Sequence, residues 1–129
     1  MVTAAGHTVA GHAIVKDEPA QVTAVIREGC ASAAVQAFIL TGGTGVTSRD
    51  STFEAVEAML EKRLTGFGEL FRMLSYQGIG AAAMLSRAQA GVVQRRAVFS
   101  LPGSPNACRL ALEKLILPEL GHVLREISR

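Results

Sequence analysis

Hydrophobic positions change their period several times along the chain, and each change marks an element. Thr8 to Val15 (TVAGHAIV) carries β-branched residues and runs into the polar cluster Lys16-Asp17-Glu18-Pro19, which predicts a strand ending in a turn. From Pro19 the apolar residues fall at Val22, Val25, Ile26 and Gly29 or Cys30, one face of a helix with proline at its first position. Ala37 to Leu40 (AFIL) is a short apolar run closed by glycine, the pattern of a buried strand in a parallel sheet. After a glycine-rich loop, Ser51-Thr52-Phe53-Glu54 has the form of a capping box, with Ser51 as N-cap (Thr52 serving almost as well) and Glu54 three residues on. Phe53, Val56, Met59, Leu60 and Leu64 then line one helical face. Gly66 and Gly68 interrupt, and Leu70, Phe71 and Leu74 predict another helix as far as Tyr76. Leu85 to Val93 and Arg96 to Leu101 read as antiparallel strands joined by a tight turn at Gln94-Arg95. Ser104 is placed to cap, and Pro105 to open, a long final helix that Pro118 breaks or restarts before Leu120 to Ile127.

Strands alternating with helices predict an α/β fold with a mostly parallel sheet and one antiparallel hairpin, in a single domain over residues 1–129. In such sheets ligands bind beyond the carboxyl ends of the strands. Three loops are therefore expected to meet at one edge: Lys16 to Glu18, Thr41 to Asp50, and Pro102 to Asn106.

Composition narrows the function classes. With 49% hydrophobic and 19% charged residues the chain is too apolar for intrinsic disorder, and 5% aromatics makes its core aliphatic and alanine-rich. Gly, Pro or charge interrupts every apolar run before it reaches bilayer length, and the first residues lack a secretory pattern, so a cytoplasmic protein without a membrane partner is expected. A formal charge of +2, from 13 basic and 11 acidic side chains, gives no case for nucleic acid. Cys30 and Cys108 form no CxxC, and His7, His12 and His122 have no ligand spacing, which argues against a disulfide framework, a zinc knuckle or any metal site made of protein ligands alone.

The loop Thr41-Gly42-Gly43-Thr44-Gly45 joins a buried strand to a helix start. Its glycines let backbone N–H groups approach a ligand, and with the following helix N-terminus they form a candidate phosphate cradle. It is neither a Walker loop nor GxGxxG, and the same residues would serve a plain strand-to-helix turn. Asp17 and Asp50 each follow a strand end on one side of the sheet, where two carboxylates can hold Mg²⁺ against a nucleotide's phosphates. Asp50 would equally suit a helix N-terminus, and Asp17 a turn.

Taken together, Leu40 to Asp50 (LTGGTGVTSRD), Gly66-Phe67-Gly68-Glu69, and Leu101 to Ala107 (LPGSPNA) resemble the MoaB/Mog family of molybdenum-cofactor biosynthesis proteins. Ile14-Val15-Lys16-Asp17 is similar to the family's acidic turn after its second strand. The resemblance implies a three-layer αβα, molybdopterin-binding-like fold, here lacking the family's first βα unit, with Met1 to His7 as the tail of the first helix. It implies an adenylyltransferase that moves AMP from Mg-ATP to the terminal phosphate of molybdopterin. Thr41, Gly42, Gly43, Thr44 and Gly45 would bind pterin phosphate and nucleotide, Pro102, Gly103 and Ser104 would form the other wall, and Asp17 and Asp50 would be the essential carboxylates. Asp50 is the better Mg²⁺-linked candidate. The resemblance also implies a homo-oligomer, a trimer or hexamer; a non-catalytic molybdopterin- or nucleotide-binding module is the alternative.

Overall fold

Along the strand Arg96–Leu101, alternate side chains enter two separate cores, one on each face of the sheet. The structure, a computed structural model, describes all residues 1–129. In chain order they form α1 (Pro19–Cys30), β1 (Ala37–Thr41), α2 (Thr52–Met59), β2 (Lys62–Arg63), α3 (Thr65–Ile79), β3 (Gln89–Val93), β4 (Arg96–Leu101), α4 (Pro105–Ala111) and α5 (Leu117–Ser128). The strands lie in the order β1-β4-β3-β2, with β1 parallel to β4 and both other pairings antiparallel.

Ala97, Phe99 and Leu101 point toward α3, α4 and α5, where they meet Phe71, Ile116 and Leu120. Phe67 lies edge-on to Phe99, with ring centroids 5.4 Å apart. On the opposite face Val98 and Val93 meet Val22 and Ile26 of α1 and Val56 of α2. Full burial of each such aliphatic or aromatic side chain stabilises the fold by about 1.5–3 kcal/mol. Helices on both faces of one sheet make the three-layer α/β arrangement. No helix is long and apolar enough to cross a membrane.

Several expectations hold at the level of single residues. Pro19 and Pro105 sit in the first turns of α1 and α4, and Ser104 caps α4 by accepting the Ala107 N–H. Gln94 and Arg95 form the β3–β4 turn, both at positive φ (46° and 63°), as the twist of a two-residue hairpin demands.

Other expectations are corrected. Thr8 to Val15 forms no strand, is exposed throughout, and leaves the outer edge of β1 without a partner. Without that strand one pairing is parallel and two are antiparallel, so the sheet is mixed and not mainly parallel within these four strands. The strand expected from Leu85 begins at Gln89, because Gly80–Leu85 turns as a 3₁₀ helix that buries Ala83. Gly66 and Gly68 do not interrupt α3 but lie inside its first turns. The last helix does restart at Pro118, which sits in the first turn of α5. A π-helical stretch, Leu112–Ile116, carries α4 into α5, the wider turn accommodating a residue that lacks an N–H and crowds the preceding turn.

Candidate functional site

Beyond the carboxyl ends of β1 and β4, three segments distant in the chain come together. Thr41 ends β1 opposite Leu101 in the parallel register. The next residue, Gly42, donates its N–H to the Leu101 carbonyl at 2.8 Å. Gly103 packs on Gly42, its Cβ direction 3.5 Å from the Gly42 Cα. Pro102 accepts a hydrogen bond from the Cys108 thiol at 3.2 Å, and Ser104 uses its hydroxyl as the α4 cap. The Leu101-to-Pro105 turn is thus anchored to its own helix and lies against the first glycine of the other loop.

Asp17 reaches the same place from the N-terminal side. Its Oδ1 accepts hydrogen bonds from the Ser51 hydroxyl (2.9 Å), the Thr52 hydroxyl (2.8 Å) and, more weakly, the Ser51 N–H (3.4 Å). Its Oδ2 takes none, and lies 2.8 Å from where a Cβ on Gly43 would stand. That Cβ would also collide with the Thr52 side chain, and Gly43 has φ +70°. Only glycine meets both demands here.

Asp50 closes the far side of the loop. Its Oδ2 accepts the Thr47 N–H at 2.9 Å and the Thr47 hydroxyl at 2.8 Å. These hydrogen bonds hold the carboxyl below the usual aspartate range, with smaller help from the Gly45 amide and the Arg87 charge. A Cβ on Gly45 would stand 2.7 Å from Asp50 Oδ2. The two carboxylates therefore flank one loop, Asp17 at Gly43 and Asp50 at Gly45, each keeping one oxygen free of these anchoring bonds.

Between them the amides of Gly43, Thr44 and Val46 make no hydrogen bond within the protein. Thr44 as a residue is buried, at 3% exposure, and buried backbone N–H groups ordinarily have a partner. An anion with several acceptor oxygens answers this arrangement better than a neutral ligand does. No three or more His, Cys, Asp or Glu side chains gather into a metal site. Any cation at the two carboxylates takes its remaining ligands from a bound molecule or water.

The expected capping box does not form, although Ser51 is the N-cap of α2. Its hydroxyl is spent on the Asp17 carboxylate and carbonyl, and the Glu54 carboxylate on Arg87 at 2.7 Å. The salt bridge to Arg87 draws Glu54 below its ordinary range. Charged or charge-assisted partners outcompete the local cap.

Arg87 is the residue that sequence reasoning missed. Its backbone N–H donates to the Thr44 carbonyl (3.1 Å). Its side chain donates to the carbonyls of Gly45 (2.9 Å), Thr44 (3.3 Å) and Asp50 (3.4 Å), and its guanidinium stacks on the Phe53 ring at 4.6 Å. Nothing local to Ser86-Arg87-Ala88 announces this. Thr47 was more legible, since Thr-x-x-Asp ahead of a helix is a spacing at which side chains bond nearby backbone. A groove of about 390 Å³ lined in part by Phe53, Arg63, Arg72 and Arg87 contains none of the site residues expected from sequence.

Comparison with known proteins places these features in context. The chain matches, over residues 1–122, the family described as a probable molybdopterin binding domain. It is 52% identical over 126 residues to the molybdenum cofactor biosynthesis protein B of Bacillus subtilis, covering 97% of this chain and 74% of that protein. A crystal structure of a molybdenum cofactor biosynthesis protein B superposes with a TM-score of 0.95 at 51% identity, over 98% of this chain and 80% of the other. The tungsten cofactor synthesizing protein MoaB from Pyrococcus furiosus gives a TM-score of 0.83 at 40% identity, over 91% and 74% of the two chains.

Proposed function

This chain belongs to the molybdopterin-binding family of molybdenum cofactor biosynthesis proteins, and from that premise we propose that it adenylylates molybdopterin with Mg-ATP. The observation that carries the proposal is the loop whose Gly43, Thr44 and Val46 amides have no protein partner, flanked by Asp17 and Asp50. An oxygen of the terminal phosphate of molybdopterin attacks the α-phosphorus of ATP. A new O–P bond forms, the bond to the β-phosphate breaks, and its electron pair leaves with pyrophosphate. The attacking phosphate is already anionic at neutral pH, so the reaction needs positioning and charge neutralisation more than a strong base or covalent nucleophile.

The roles follow from placement. The Thr41-to-Gly45 loop would hold phosphate oxygens, with Pro102, Gly103 and Ser104 as the facing wall. Two carboxylates, each with an unanchored oxygen, suit Mg²⁺ arriving with ATP, because this ion keeps phosphate and water ligands and needs only one or two carboxylates. Asp50 would be its principal protein ligand and Asp17 the second carboxylate. When bound, the ion neutralises charge building on the phosphates. Ser51 and Thr52 fix the Asp17 carboxylate in place, and Thr47 fixes Asp50 and favours its ionised form.

Incubation with Mg-ATP and molybdopterin is expected to yield adenylylated pterin and one equivalent of pyrophosphate. Asp50→Ala is expected to lower turnover by about a hundredfold, the scale of losing one transition-state charge partner. Undiminished product from Asp50→Ala removes the mechanism. Molybdopterin binding with no pyrophosphate release makes the chain a non-catalytic binding module. We also read the exposed Met73, Tyr76, Ile79 and Met84, on α3 and the turn after it, as the face of a homo-oligomer. Light scattering at the mass of a monomer contradicts that.

A further inference from the structure

A loop with three glycines in four residues has little conformational preference of its own, so something outside it must decide which way its amides point. We propose that Arg87 is the positioning residue of the phosphate-binding loop, acting on the carbonyls at its back so that the Gly45 N–H turns toward Asp50 and the Val46 N–H is left for the ligand. The inference rests on the phosphate-binding role proposed above and adds a residue to it.

The geometry is specific. In a trans peptide the C=O and the following N–H point to opposite sides of one plane. Arg87 holds the Thr44 carbonyl twice, through its own backbone N–H at 3.1 Å and its Nε at 3.3 Å. It holds the Gly45 carbonyl through Nε at 2.9 Å. The next N–H in each case therefore faces away from Arg87: that of Gly45, whose residue lies against Asp50, and that of Val46, which has no protein partner. Nη2 reaches the Asp50 carbonyl at 3.4 Å, tying the far end of the loop to the same guanidinium.

The guanidinium is itself fixed from two sides. Nη1 donates to Glu54 on α2 at 2.7 Å, and the Phe53 ring lies 4.6 Å beneath it. Bonded to backbone at two loop residues, to one flanking residue and to the next helix, the planar fork does what a single ammonium cannot. Glu54 offsets its charge, so its contribution is orientation more than attraction for the ligand.

The test compares wild type with Arg87→Lys and Arg87→Ala, each below its own unfolding midpoint. Backbone amide spectra of the free proteins should show the Gly45 and Val46 signals displaced or broadened in both variants, with β4 and α5 signals unmoved. KM for ATP should rise about tenfold in both, the scale of losing hydrogen bonds to a charged group, with kcat changed less than KM. Low-millimolar guanidinium should restore Arg87→Ala toward wild type but leave Arg87→Lys unrepaired. Lysine performing as well as arginine, or Gly45 and Val46 amides indifferent to both substitutions, overturns the proposal. The amide readout needs neither ligand nor turnover. An inactive wild type whose loop amides still respond to Arg87 therefore refutes the adenylylation reading while sustaining the positioning role. Should Arg87→Ala fail to fold, Arg87→Lys and the kinetics of the folded protein decide.

Discussion

Gly43 offers the sharpest quantitative check, because two separate costs meet at one Cβ. In Gly43→Ala the residue must hold φ +70°, a left-handed conformation that costs an L-residue about 1–2 kcal/mol. The new methyl also lands against the Thr52 side chain and 2.8 Å from Asp17 Oδ2. Thr52 is buried at 6% exposure, so its hydroxyl has little room to retreat while keeping its 2.8 Å bond to Asp17. Losing a hydrogen bond to a charged group costs about 1.5–3 kcal/mol, and the exposed position of Asp17 argues for the lower end. The total is about 3 kcal/mol, which for a domain of this size lowers the thermal midpoint by about 10 °C. Two neighbours separate the terms. Gly42→Ala has φ +100° but nothing within 4 Å, so it bears the backbone cost alone. Gly103→Ala meets nothing closer than 3.5 Å and has no positive φ, so it should stay within about 0.5 kcal/mol of wild type. Thermal unfolding followed by circular dichroism ranks the three. A Gly43→Ala protein no less stable than Gly42→Ala refutes the crowding argument, and with it the contact between Asp17 and the loop.

Arg95→Gly removes the positive-φ penalty at the second turn position and should raise the melting midpoint, with a gain of about 0.5–1 kcal/mol; a fall would mean its side-chain contact with Ser128 outweighs turn strain. Ser100 is fully buried with no partner for its hydroxyl, so Ser100→Ala should be neutral or stabilising by about 1 kcal/mol in chemical denaturation, and a clear loss would reveal a bond the structure does not contain. Asp50 and Glu54 have folded-state pKa values below their ordinary ones, so what they contribute is present above the unfolded value and lost as pH falls through the folded one. Stability should thus be indifferent to them between pH 7 and pH 5 and decline below about pH 4, with a shallower acid slope in Asp50→Asn. Burial pushes both thiols up, so Cys30 and Cys108 should react slowly with iodoacetamide at neutral pH in the native protein and rapidly after denaturation.

What the sequence determined by itself is what neighbours in the chain settle between them. Proline at residues 19 and 105, serine at 104, the apolar AFIL run and the two-residue link at Gln94-Arg95 act over a few residues, where dihedral limits and single hydrogen bonds are the whole contest. The meeting of the glycine loop with the Pro102 loop was legible too, because loops beyond strand ends in an α/β sheet converge; Asp17 arrives with no strand before it, held by Ser51 and Thr52. Tertiary structure decided every case in which one group had two suitors. Ser51 had the residues of a capping box, yet its hydroxyl went to Asp17, thirty-four positions away, and Glu54 went to Arg87, thirty-three away. Thr8 to Val15 had the residues of a strand, yet it stays exposed and pairs with neither edge of the sheet. Lys62–Arg63, too short for any periodicity, became a strand because β3 presented an edge to it. Local preferences amount to about 1 kcal/mol or less per residue, and a charged hydrogen bond or a completed ladder exceeds that, but only after folding has brought its partner within reach.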